Sequence, residues 1–139
     1  MNFWDASALI KALDEGESGH TLAVNLLRQK VRHASCALLV VEIASAVARR
    51  HAGRPDLRKR LTSAWQGLLP GLQLHAVDPL VESAARVAER QRLRAVDAVY
   101  LACALDIHAG LTRKVVFLTS DRELAVAARR ERLRVVELS

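Results

Sequence analysis

Aromatic, turn-forming and sulfur-bearing residues are all scarce in this chain of 139 residues, which has two Phe, two Trp, one Tyr, three Pro, six Gly and two Cys. A chain of this length can bury enough surface to fold without disulfides or a structural metal. Cys36 and Cys103, each set in an apolar run, fit reduced buried thiols. Long apolar runs are missing too. The longest stretches free of charged or strongly polar side chains, Cys36–Val41 and Ala98–Leu105, fall far short of a membrane span. The opening Met-Asn-Phe-Trp-Asp lacks a basic segment followed by an apolar one, so no secretory signal is read and a cytoplasmic location away from membranes is expected. The histidines, at 20, 33, 51, 75 and 108, form no i, i+4 pair. That argues against a zincin-type site and against metal-free catalysis driven by histidine.

What is present is a chain 51% hydrophobic and 26% charged, enough for one self-sufficient core and too short for two. Twenty-one basic residues stand against 15 acidic ones, a formal charge of +6. Such a surplus suits phosphate-bearing partners. Arginine accounts for most of it, which a compositional bias of the source genome would also produce.

Apolar periodicity and turn residues predict strands at Asn2–Trp4, His33–Cys36, Leu72–Val77, Val115–Leu118 and Arg134–Leu138. Helices are predicted at Ala6–Leu13, Ser18–Val31, Leu38–His51, Pro55 to Leu69, Pro79 to Arg92, Ala95–His108 and Asp121–Glu131. Strand and helix alternate almost throughout, the pattern of an α/β domain with a mostly parallel sheet covered on both faces. Such sheets bind ligands at the carboxyl ends of their strands, so residues just after a strand attract notice.

Four carboxylates stand out. Asp5 ends the first strand, where it can equally cap the helix that follows. Glu42 is the only charged residue between Ser35 and Ala48, in a helix apolar on every side. Such a helix is expected to be buried, and its carboxylate then needs an arginine partner or a metal. Asp97 interrupts the apolar run Ala95–Ala102 and could also cap a helix starting at Ala98. Asp121 follows the fourth strand, where Ser120 and Glu123 can form a capping box around it. The four lie 37, 55 and 24 residues apart, spacings that rule out a local motif but suit convergence from successive strand–helix units. Crowded carboxylates repel unless a cation neutralises them, and hard divalent cations prefer oxygen ligands.

Around these residues the chain resembles the PIN-domain family, particularly VapC-type ribonuclease toxins. Phe3-Trp4-Asp5-Ala6-Ser7-Ala8-Leu9-Ile10-Lys11 is similar to the family's opening strand and turn, and Val40-Val41-Glu42-Ile43-Ala44-Ser45-Ala46 to its central Glu helix. Leu93–Ala102 and Val116–Leu124 match its third acidic segment and its closing Thr-x-Asp segment. The resemblance implies a single PIN-like domain with a five-stranded parallel sheet and metal-dependent endoribonuclease activity. It implies that Asp5, Glu42, Asp97 and Asp121 hold Mg²⁺ or Mn²⁺, Asp5 and Asp97 most directly, with Ser7 and Thr119 supporting them. It further implies an RNA substrate, a VapB-type antitoxin that covers an apolar groove and the acidic pocket, and a homodimer. Two positions depart from the family's habit: Ala6 where Thr is frequent, and Arg132 where Gly often precedes the last strand.

Two basic segments could carry the substrate: Arg49 to Arg60, and Arg86, Arg90, Arg92 and Arg94 leading into Asp97. Arg92 and Arg94 are the preferred candidates, with a plain solvated helix surface as the alternative for both segments. All five aromatics look like core, so no platform for stacking bases is evident. Two other classes compete: a catalytically silent PIN-fold module that binds RNA or a partner, and a receiver-like phosphoacceptor. The phosphoacceptor lacks both the acidic pair after the first strand and the late lysine it needs.

Overall fold

The computed structural model describes residues 1–110 and 114–139. Five strands, β1 Asn2–Trp4, β2 His33–Cys36, β3 Leu72–His75, β4 Val116–Thr119 and β5 Arg134–Glu137, form one sheet in the order β3-β2-β1-β4-β5. Every neighbouring pair is parallel. The helices are α1 Ala6–Leu13, α2 His20–Leu27, α3 Leu38–Arg50, α4 Pro55–Leu68, α5 Val81–Gln91, α6 Ala95–Gly110 and α7 Arg122–Arg130. Short 3₁₀ turns at Leu69–Gly71 and Asp78–Leu80 lead into β3 and α5.

Alternation along β1 divides the core in two, because successive strand residues point to opposite faces. Phe3 stacks on Phe117 (centroids 5.6 Å apart) and packs among residues of α5, α6 and α7. Trp4 faces the other way with Leu118, into a second cluster supplied by α1, α2, α3 and α4. Trp4 also satisfies its indole by donating to His33 Nδ1 at 3.0 Å. Burying an aromatic of this kind stabilises by roughly 1.5–3 kcal/mol, so both faces of the central strand are strongly anchored.

Three local expectations are corrected. The second helix is shorter than Ser18–Val31 because Gly19, at φ +83°, sets its start and the backbone leaves the helix after Leu27. The third strand ends at His75 rather than Val77. Helix α3 is not buried all round. Leu39, Ile43 and Val47 form its buried stripe, while Val40, Val41, Ala44 and Ala48 face outward, Val41 with 68% exposure. No element of the described chain covers that second apolar face.

Candidate metal centre

The strand order places a topological switch between β1 and β4. From β1 the chain steps outward through β2 and β3, then returns to the other side of β1 as β4. The crevice beyond the carboxyl ends of these two strands is where open parallel sheets take their ligands. Asp5 follows β1 and is 3% exposed, its backbone N–H donating to Leu118 O of β4 at 3.1 Å. Thr119, Ser120 and Asp121 follow on the β4 side.

Hydroxyls and amides tie the two strand ends together. Ala8 N–H donates to Asp5 Oδ1 at 2.8 Å, the N-cap bond of α1. The Ser7 hydroxyl lies 2.8 and 2.9 Å from the two Asp5 oxygens, and Thr119 Oγ1 donates to Oδ2 at 2.6 Å. Ser120 N–H donates to Ser7 Oγ at 2.9 Å, and Asp121 N–H to Thr119 Oγ1 at 3.0 Å. Asp5 is therefore both a helix cap and the centre of a fixed polar cluster, so the two readings of this residue do not exclude each other. Asp121 is itself the N-cap of α7, accepting from Leu124 N–H at 3.0 Å. The capping box expected from Ser120 and Glu123 does not form: the Ser120 hydroxyl turns back to Ser7 O at 3.1 Å instead.

The electrostatics converge on Asp97. Burial raises the Asp5 carboxyl from 3.8 to about 7, against the pull of hydrogen bonds from Thr119, Ala8 and Ser7, and the charge of Asp97 adds to the rise. Asp97 sits in the first turn of α6, which begins at Ala95, so it is not a cap ahead of Ala98. Its carboxyl is raised first by burial and then by the charge of Asp121, with Glu42 and Glu123 adding and Arg94 opposing. Glu42, on the half-buried flank of α3, makes no ion pair among the described residues. The charge of Glu42 acts instead on Tyr100, whose buried phenol is raised by burial and by this carboxylate. The Tyr100 hydroxyl has no partner within 3.5 Å among the described residues, and the Glu42 carboxylate is the acceptor closest to bonding it. Sequence reasoning treated Tyr100 only as core. A lone phenol in an apolar run, which must place its O–H somewhere, was the signal that could have found it.

The candidate ligands are all oxygens, and the carboxylates among them repel one another: a hard divalent cation fits this chemistry. Among the described residues no three His, Cys, Asp or Glu side chains close around a single point. Mg²⁺ does not require that, since it is usually held by one or two carboxylates with waters and substrate phosphates completing the shell.

The sequence model of the PIN domain matches residues 3–130. The chain belongs to the PIN domain family. No curated protein sequence matches it. Among solved structures, this PIN domain is similar to PAE2754 from Pyrobaculum aerophilum, with TM-score 0.66 and 23% identity over 91% of this chain and 83% of that one. It is similar to a chain of a toxin-antitoxin complex from Klebsiella pneumoniae, with TM-score 0.62 and 16% identity over 90% and 91% of the two chains. It also resembles a chain of VapBC2 from Rickettsia felis bound to a DNA fragment from their promoter, with TM-score 0.66 and 11% identity over 99% and 98%. At these identities the likeness is one of fold.

The basic segments of this PIN domain separate. Arg58 and Lys59 flank a groove of about 550 Å³ between α3 and α4, floored by Ile43, Val47 and Trp65. Arg92 and Arg94 are both exposed; the Arg94 charge reaches Asp97, whereas Arg92 shares a concavity with Glu123. Arg132, at φ 65°, closes α7 in the left-handed region, so the turn does ask for the glycine that Arg132 replaces.

Proposed function

We propose that this PIN domain is a metal-dependent endoribonuclease of the VapC type, the toxin of a toxin–antitoxin pair. The observation that carries the reading is the buried Asp5 carboxylate fixed by Ser7 and Thr119 at the carboxyl ends of β1 and β4, within reach of the Asp97 charge. Asp5 and Asp97 would hold Mg²⁺ or Mn²⁺, with Glu42 and Asp121 completing the acidic set. A bound divalent cation supplies a hydroxide nucleophile near neutral pH and charge compensation at phosphorus. The chain's own residues do the positioning. Ser7 and Thr119 fix both Asp5 oxygens, Ser120 and Asp121 backbone N–H groups hold those hydroxyls in turn, and Arg94 offsets the acidic charge at Asp97.

The uncovered face of α3 suits an antitoxin. Val40, Val41, Ala44 and the groove toward Trp65 offer apolar contact, and Arg58 and Lys59 favour an acidic flank on the partner. Two of the similar structures are complexes of toxin with antitoxin, which supports a partner of that class.

Asp97→Asn in the purified protein is expected to lose cleavage of RNA in Mg²⁺ or Mn²⁺ while keeping its circular dichroism and melting transition. Unchanged cleavage would sink the assignment. The competing reading is a PIN-fold module without catalysis. Calorimetric titration with Mn²⁺ separates the two, since the silent module gives no heat that Asp5→Asn or Asp97→Asn removes.

A further inference from the structure

A second concavity, of about 590 Å³, is lined by Arg92, Leu93, Arg122, Glu123, Val126 and Arg130. Its size falls in the range of about 300–1,000 Å³ typical of clefts that take small ligands or ligand fragments. It runs between the end of α5 and the outer face of α7. Two neighbouring arginines are committed to acids: Arg90 to Glu131 at 2.6 Å and Arg129 to Glu137 at 3.2 Å. Arg92, Arg122 and Arg130 are exposed and form no ion pair or side-chain hydrogen bond among the described residues. The groove therefore presents three free guanidinium groups and one carboxylate, Glu123.

The groove adjoins the acidic cluster in sequence and in charge. Arg122 directly follows Asp121, and Glu123 is among the charges that act on Asp97. Arg92 is held where it stands by the chain: at φ 55° it ends α5, with its own N–H and that of Leu93 both donating to Ala88 O. The floor between the arginines, Leu93, Val126 and Ala127, is apolar and carries no aromatic ring, so it favours contact with a backbone and its sugars over base stacking. Guanidinium forks match phosphate oxygens in two-point contacts.

We propose that this α5–α7 groove carries the phosphodiester backbone of single-stranded RNA to the carboxylates, with Arg92, Arg122 and Arg130 contacting its phosphates. The proposal rests on the ribonuclease reading above and adds the path and the residues that form it. Neither Arg122 nor Arg130 stood out in the sequence. Both belong to a helix whose basic residues look like ordinary surface, and only the fold sets them opposite Arg92.

The test uses the Asp97→Asn protein, so that RNA stays intact, and follows the anisotropy of a labelled single-stranded RNA between about 50 and 200 mM salt, where counterion release is well resolved. Adding Arg122→Ala and Arg130→Ala is expected to weaken binding and to flatten the plot of log affinity against log salt by about 1.4, at about 0.7 per lost phosphate contact on a single strand. Arg122→Lys with Arg130→Lys should restore most of that slope, which a merely structural role for the arginines would not do. An unchanged slope in the alanine variant overturns the proposal. Cleavage by the parent protein is measured in parallel. If the parent fails to cleave in any divalent metal while the slope still depends on the arginines, the nuclease reading falls and the groove stands as an RNA-binding surface.

Discussion

Replacing Asp5 with Asn should make the metal-free protein more stable above neutral pH. In the folded chain the carboxyl titrates near 7, against 3.8 for its ordinary value. Between about pH 4 and 7 the folded state thus keeps a proton that the unfolded state has released, and stability falls as pH rises through this window. Above the window the penalty is complete and amounts to roughly 4 kcal/mol at about 1.4 kcal/mol per pH unit. Asn keeps the oxygen that caps α1 through Ala8 N–H. It places an amide N–H₂ where Thr119 and Ser7 now donate, so both hydroxyls must turn, at a cost of about 1–3 kcal/mol. The net expectation at pH 8 is a gain of about 1–3 kcal/mol, a urea midpoint higher by about 1 M for a chain of this size. The advantage should shrink by roughly 3 kcal/mol, and so vanish or reverse, by pH 5, where the folded parent holds its proton. Urea titrations in EDTA at pH 5, 6, 7 and 8, followed through the buried Trp4 and Trp65, measure both quantities. A difference between the two proteins that is the same at pH 5 and pH 8 would refute the argument that burial of this charge outweighs its three hydrogen-bond donors.

Val41→Asp, on the uncovered face of α3, should change stability by no more than about 0.5 kcal/mol yet abolish rescue of growth by the co-expressed antitoxin; intact rescue would remove that face from the proposed interface. Arg132→Gly relieves a left-handed backbone at the end of α7 and should stabilise by about 0.5–1 kcal/mol, seen as a rise of a few degrees in the melting temperature; a fall would mean that the arginine side chain contributes more than its backbone costs.

The alternation of strand and helix was legible because each element carries its own period and its own stop signals. Ala6–Leu13 and His33–Cys36 have the bounds expected from the sequence, and the five strands take the parallel arrangement that the resemblance implied. Helix α3 was misjudged for a physical reason. Apolar residues on every side read as burial within one chain, and sequence alone does not distinguish a face buried by the fold from one left for a partner. Asp121 was ambiguous because a carboxylate after a strand serves the helix dipole and a ligand site in the same position; here it caps α7 and still lends its charge to Asp97. The hydroxyl cluster was only partly legible. Ser7 and Thr119 were anticipated beside Asp5, but the part played by Ser120 depends on a contact spanning 113 residues of chain, which no local pattern encodes.

The position of β1 has a consequence for the growing polypeptide. β1 is made before the other strands of this sheet yet lies at its middle, and one of its two edges stays bare until residues 116–119 arrive to pair with it. Asp5 likewise lacks the Thr119 hydroxyl, and the crevice lacks its second wall, until that late strand has been synthesised and has docked. Closing so long a loop is among the slow steps of folding. Until β4 docks, a nascent chain lacks the Asp5–Thr119–Ser7 cluster, whereas α3 and its apolar outer face, encoded far earlier, are already made.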